Sequence, residues 1–474
     1  MFYVGAKYLL LKEGHIEMKN TEDRREMLAT APVMPLLIKM SLPAMIGMLV
    51  LASYNVVDGI YIGWGVGPLG IAATSVAYPF QMFVNALALW IGIGTASLTS
   101  RELGAGEDEH AERALANGFA MSVAVGLFSM AMGLAFMGQL VGLMGADASI
   151  TAYAEEYLAV VFLGTPLVTV GMLFNSAIRA EGNTKYAMYS MVIPAVLNVF
   201  LDPLFIFVFK LGMAGAAIAT VTGQFVTLLW VLRYYLGGKL SLVRLDFSKL
   251  ALRAFAVREI ITVGASEFCR SAALTFCNAV LMHQISAYGS PAHIAAFSIS
   301  MKVSSLGVMP LFGLGQGLQP IIGYCYGARL YDRAREAVEK ALLLATTITV
   351  IGEILIQAFP QVFAKAFTAD PDVIRLTVWS VRIIKSLFAI LGFQIVGTVV
   401  FQALGFAAPA LFLSLSRQVI FFIPALLVLP HFFGVAGVFL TYPVSDFAAC
   451  AMTLVLLLSY RKRFRALESA IHNP

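Results

Sequence analysis

Long apolar stretches alternate with short polar ones along almost the whole chain, and the apolar stretches outrun both strands and ordinary core helices. A bilayer span takes about 20 predominantly apolar residues. That rule predicts twelve spans. The first six cover 34–60, 69–100, 114–136, 156–178, 186–209 and 213–236. The second six cover 259–287, 292–324, 337–358, 374–404, 408–430 and 434–460. The expected fold class is an all-α integral membrane protein, with twelve transmembrane helices in two six-helix lobes. An even count puts both chain ends on one side. A tail over 1–33 leads into an N lobe over 34–236, a basic linker over 237–258 is too short to fold alone, and a C lobe over 259–460 ends in a tail over 461–474.

Composition excludes the soluble alternative. Hydrophobic residues make up 59% and charged residues 12%, about half the roughly 25% charge of a soluble domain. Charge placement then orients the chain. Of 32 Lys and Arg, five lie in 1–33 and eighteen in the loops or tail on the same side, against three (Lys210, Lys365 and Arg375) on the other. The positive-inside rule makes both termini cytoplasmic, and the cytoplasmic membrane is the expected location. The net charge of +5 is spread over many loops, so nucleic acid is not an expected partner. Cys269, Cys277, Cys325 and Cys450 lie in apolar stretches without a CxxC pair and read as packing residues. Residues 1–33 lack a secretory cleavage site, and Met18-Lys19-Asn20 forms a short basic lead-in, so translation is expected to start at Met18.

The two halves repeat at an offset near 222. Gly92-Ile93-Gly94 answers Gly313-Leu314-Gly315, Gly104-Ala105 answers Gly327-Ala328, and Ala146-Asp147 answers Ala369-Asp370. Gly212-Met213-Ala214-Gly215 answers Gly434-Val435-Ala436-Gly437, and Asn55 answers Asn278. Each repeat holds six spans, so the halves enter from the same side and are related by a pseudo-two-fold along the membrane normal. A cleft between such lobes is the architecture of alternating access.

Ionisable groups at membrane depth cost several kcal/mol and mark candidate sites. Five acids fall within spans: Asp58, Asp202, Glu267, Glu353 and Asp446. Asp202 lies roughly 10 Å from the outer end of span five and Thr220 at a similar depth in span six. Asn198 shares the face of Asp202 one turn deeper, and Tyr54 stands one turn below Asp58. These oxygens suit a hard cation, Na⁺ being the candidate metal, or a proton. The competing reading puts Asp58 in the interface and makes Asp202 a helix cap. Pro43, Pro194 and Pro203 redirect backbone groups in spans one and five. Glu267 and Arg270, three apart, pair with each other or line a cavity. Lys302 lines the cavity or snorkels. Glu353 and Asp446 are lone acids, and Arg417, Lys385 and Arg382 read as lobe-interface or interfacial anchors.

Enzyme signatures are missing: the chain has no HExxH, GxSxG or P-loop, and the GxGxxG at Gly65, Gly67 and Gly70 follows a span rather than a strand. No enzyme activity and no cofactor beyond a coupling ion are expected. The 34 Phe and 21 Met are read as lipid-facing or packing residues rather than a drug cavity.

Three segments resemble the multidrug and toxic compound extrusion (MATE) transporters. They are Asn55-Val56-Val57-Asp58-Gly59-Ile60-Tyr61-Ile62-Gly63; Arg179-Ala180-Glu181-Gly182-Asn183-Thr184-Lys185 with Pro194, Asn198 and Asp202-Pro203; and Gly315-Gln316-Gly317-Leu318-Gln319-Pro320 running to Tyr326-Gly327-Ala328. The resemblance is nearest to the branch that includes DNA-damage-inducible protein F. It implies export of small organic, often cationic, compounds in exchange for Na⁺ or H⁺. It places the coupling site on Asp58, Asn198, Asp202 and Thr220, with Asn175 added by spacing, and it matches Tyr54 and the kink proline Pro43. Span ten has no acid and Glu267 sits near the start of span seven, a departure from the branch with a C-lobe cation site. Two lobes in one chain make a working monomer the expectation. The rival reading is a flippase for a lipid-linked glycan, which would call for a strongly cationic cavity.

Overall fold

The computed structural model describes residues 21–145, 147–237 and 240–472, with side chains for all of these except 21, 22, 306 and 461–472. The Met18 expectation lies outside the described residues, as do Ala146 and the last two residues of the C-terminal tail.

Every predicted span is found as helix. Ten are single stretches: Val33–Gly65, Pro68–Ala105, Asp108–Ala135, Thr184–Val208, Gly212–Leu236, Ala254–Tyr288, Pro291–Gly327, Tyr331–Ala358, Ala407–Phe433 and Val435–Tyr460. Span four is a bent pair, Ala148–Leu163 and Thr165–Ala180, at 50°, and span ten a second, Pro371–Ile384 and Phe388–Ala403, at 52°. Span four breaks at Gly164-Thr165-Pro166, where a proline without an amide hydrogen restarts the helix. Span ten breaks without proline. Its restarted half is capped instead by Glu353 of span nine, whose Oε2 accepts the Ala389 amide at 2.7 Å.

The internal repeat has a local physical basis. Asp147 and Asp370 are both N-caps: Asp147 accepts from the amides of Ser149 and Ile150, and Asp370 from those of Asp372 and Val373. Gly212 and Gly434 both turn the chain between spans at positive φ, +53° and +56°. Spans five and eleven each carry a π-helical turn, Leu204–Val208 and Ser416–Ile420, but not in register: at the repeat offset the second falls on 194–198.

Packing differs between the side that carries the termini and the far side. On the terminal side one core runs through both lobes, joining Leu36, Leu37 and Met40 of span one to Leu311, Leu314 and Leu318 of span eight. On the far side the cores are separate, one around Tyr157, Phe162 and Ile206 in the N lobe and one around Phe297, Phe422 and Phe439 in the C lobe. Reciprocal glycines allow the terminal-side approach. A Cβ on Gly104 would overlap the Tyr324 carbonyl, and one on Gly327 the Arg101 carbonyl. Gly94 and Gly264 meet the Ile260 and Trp90 carbonyls in the same way, and Gly317 meets Ser41. Polar contacts follow the same seam: Arg101 pairs with Glu259 at 2.5 Å, and Trp90 donates to the Ile261 carbonyl at 2.8 Å. The helix Thr21–Thr30 lies across it, with the Leu28 and Ala31 carbonyls accepting from Arg333 of span nine. The lobes are therefore shut on the terminal side and divided on the other.

Candidate functional site

Four spans of the N lobe bring oxygen-bearing side chains to one place. Span one supplies Tyr54 and Asp58, span five Asn198 and Asp202, and span six Thr220 and Gln224. Tyr157, from the first half of span four, completes the group. The Tyr54 hydroxyl and Thr220 Oγ1 are 3.1 Å apart. Gln81 of span two donates to the Tyr157 hydroxyl at 3.0 Å, fixing that ring beside the acids. The Asp58 and Asp202 carboxylates are near enough to repel one another, and both act on Tyr157.

Local chain chemistry explains the convergence. Asn198 and Asp202 are 2% and 0% exposed, and their i, i+4 spacing sets both on the inner face of span five. The π turn begins immediately after Asp202-Pro203, and such turns concentrate at functional positions. Gly223 lets span six come within van der Waals contact of Pro194 and the Asn198 amide. Gly164, at the break of span four, leaves room for Gln224 Oε1.

The decisive feature is what these oxygens lack. Asp58 Oδ1, Asn198 Oδ1, both carboxylate oxygens of Asp202 and Gln224 Oε1 are buried without a hydrogen-bond partner among the described residues. Buried acceptors are nearly always paired, since an orphan costs about 1–3 kcal/mol and a charged one more. Five in one lobe form a cradle of unsatisfied acceptors whose chemistry suits a hard monovalent cation or a proton. Among the described residues no three His, Cys, Asp or Glu side chains converge. Two carboxylates with amide and hydroxyl oxygens are the available ligand set.

Comparison with known proteins gives the arrangement its family. The MatE family model matches residues 43–204 and 268–427, one stretch in each lobe. The chain belongs to the MatE family. It is 25% identical over 429 residues to the multidrug export protein MepA of Staphylococcus aureus, covering 90% of this chain and 94% of that protein. A FAD transporter of Shewanella oneidensis is 25% identical over 433 residues, 89% of this chain and 94% of that one. Among solved structures, an outward-facing multidrug resistance MATE transporter of the MOP superfamily superimposes with a TM-score of 0.87 at 25% identity, covering 94% of this chain and 98% of that one. A MATE structure in a bent conformation gives 0.88 at 25%, with the same coverage. The chain is thus a multi-pass membrane transporter with the twelve-helix, two-lobed MATE fold.

Not all the residues expected in this MatE site are part of it. Asn175 stands apart: it follows the break of span four, and its Nδ2 donates to the Ala187 carbonyl at 2.8 Å and Ser190 Oγ at 2.6 Å. It ties spans four and five together well below the acids. Pro43 lies inside the continuous first span between Ser41 and Met45, which meet Gly317 and Gly313 of the other lobe. Glu267 and Arg270 pair with each other, Arg270 Nε donating to Glu267 Oε2 at 3.0 Å, and the Arg270 guanidinium lies over Phe312. Lys302 is exposed, its ammonium 5.6 Å from the Phe367 ring centre. Asp446, a lone acid in the sequence, accepts from Arg417 Nε at 2.6 Å.

Two members of the cluster escaped sequence reasoning, Gln224 and Tyr157. Gln224 follows Thr220 by one helical turn, a spacing that was available as a signal. Tyr157 lies near the outer start of span four, and its place beside the acids depends on how span four packs, which no spacing rule supplies.

Proposed function

We propose that this MatE chain is a secondary active exporter of small organic, often cationic, compounds, working by antiport with Na⁺ or H⁺ and alternating access between its lobes. The observation that carries the reading is the set of five orphaned oxygens around Asp58 and Asp202. Two carboxylates within range of each other and without an ion pair to a described residue favour loading by a cation or proton. Loading from the far side relieves their repulsion and favours a different packing of span five, whose π turn adjoins Asp202. Substrate and coupling ion need not touch, because linkage requires only that each prefer a different state. The separate far-side cores and the shared terminal-side core match one end of such a cycle. The charge pattern of the loops makes the terminal side cytoplasmic. With both lobes in one chain, a monomer is the working unit.

The test uses proteoliposomes loaded with a fluorescent organic cation, with a Na⁺ gradient and a pH gradient imposed separately. Wild-type efflux is expected under one of the two and should fall on the order of tenfold or more in Asp202→Asn. Full efflux in the variant overturns the site assignment. No efflux under either gradient, across several cations, favours the flippase reading.

A further inference from the structure

The C lobe holds a second charged cluster, of opposite balance. Asp446 of span twelve is 6% exposed and pairs with Arg417, which sits in the π turn of span eleven. Lys385, also 6% exposed, ends the first half of span ten at its break. It lies within electrostatic range of both Asp446 and Arg417. Its ammonium makes no ion pair or side-chain hydrogen bond with a described residue and rests over the Phe388 ring, 4.6 Å from the centroid. Phe388 is itself wedged against Gly307 of span eight and Gly352 of span nine, so this cation faces the interior of the lobe. Glu353, which caps span ten through the Ala389 amide, is not among the charges that act on Lys385, which are Asp446 and Arg417. Two cations share one carboxylate, in a region where every charge calls for a counter-charge.

The internal repeat shows where this cluster belongs. The Gly212/Gly434 pair fixes the register of spans six and twelve, and at that offset Tyr442 stands where Thr220 does and Asp446 where Gln224 does. The breaks of spans four and ten correspond as well. At the same offset Lys385 and Arg417 fall on Leu163 and Ala195, beside the span-four break and one turn before Asn198, so the C-lobe cluster meets the repeat-related position of the N-lobe cradle at Gln224 and otherwise lies next to it. The N lobe presents orphaned acceptors, whereas the C lobe presents a buried cation in excess.

We propose that Lys385 and Arg417 form an anion-binding site in the C lobe that takes one negatively charged group, the carboxylate of an organic substrate or a halide. Arg417 keeps 22% of its side chain exposed. Only its Nε is committed to Asp446 among the described residues, which leaves the other guanidinium edge for an anion.

Radiolabelled benzoate is the probe, in a scintillation proximity assay on the purified full chain in lipid nanodiscs. Saturable binding is expected. Lys385→Met should weaken it by about tenfold or more, while Lys385→Arg should keep it within about threefold. Asp446→Asn removes the competing carboxylate and should tighten binding severalfold, a change that a purely structural role for the cluster would not produce. Replacing an unpaired buried cation by an apolar side chain of similar volume is not expected to cost stability, and melting temperatures check that each variant is folded. Displacement by millimolar chloride assigns the site to small inorganic anions, and resistance to chloride assigns it to carboxylates. Absence of saturable wild-type binding, or equal affinity in Lys385→Met, overturns the proposal.

Discussion

Glu181 shows how much one buried side chain can report. It sits in the turn between spans four and five, fully buried. Its carboxylate accepts from the Tyr234 hydroxyl at 3.0 Å and the Leu242 amide at 2.6 Å, joining the linker to the N lobe. Burial pushes its pKa from 4.5 up to about 7, against the weaker pull of the Leu242 amide and Arg24. The folded chain therefore holds a proton on Glu181 between those values that the unfolded chain releases. The contribution to stability is full below about pH 4.5 and is lost as pH rises through about 7, on the order of 3 kcal/mol in all. Wild-type melting temperature in nanodiscs should fall between about pH 5 and pH 8, and Glu181→Gln should flatten the curve. Equal slopes for the two proteins would remove Glu181 as the cause. Asn175 makes a second case. Asn175→Ala deletes both hydrogen bonds to span five and should destabilise the protein by about 1–3 kcal/mol. Its melting temperature should still respond to Na⁺ or pH as the wild type's does, whereas a lost response would return Asn175 to the proposed coupling site.

At the scale of elements, the two bent spans bend for different reasons. Span four carries its own reason in Gly164-Thr165-Pro166. Span ten has none in its sequence and is held by a side chain from a neighbour, the Glu353 carboxylate on the Ala389 amide. Glu353→Leu leaves that amide unpaired at membrane depth and should cost about 1–3 kcal/mol. The matching test is thermal unfolding: Glu353→Gln, which keeps an acceptor oxygen, should lie close to wild type, and a Leu variant as stable as wild type would show that the break needs no cap.

The whole molecule is organised by the seam on its terminal side. Backbone meets backbone there because Gly104, Gly327, Gly94, Gly264 and Gly317 have no Cβ. Gly327→Leu would set a side chain against the Arg101 carbonyl, which cannot retreat without moving span two. The variant is expected to populate states open on the terminal side. Spin labels at Glu107 and Arg329, in the turns that end spans two and eight, should report a distance distribution shifted by about 5 Å or more towards longer values by double electron–electron resonance. An unchanged distribution would mean that the seam absorbs the side chain.

Twelve spans, their pairing into lobes and the face of span five that carries Asn198 and Asp202 were legible in the chain, because each rests on local physics. Apolar length sets a span, helical spacing sets a face, and the N-cap aspartates Asp147 and Asp370 recur because both repeats start a helix there. What the sequence could not decide was partnership across the fold. That Asp446 belongs to Arg417, that Glu353 caps span ten, that Gln224 and Tyr157 join Asp58 and Asp202, and that Asn175 does not, all depend on the bends at Gly164 and Lys385 and on how the helices pack. A bend rotates every side chain beyond it, so a residue's depth along the chain no longer gives its neighbours. Only the packed structure resolves which oxygens are left without donors and which cation is left without an acid.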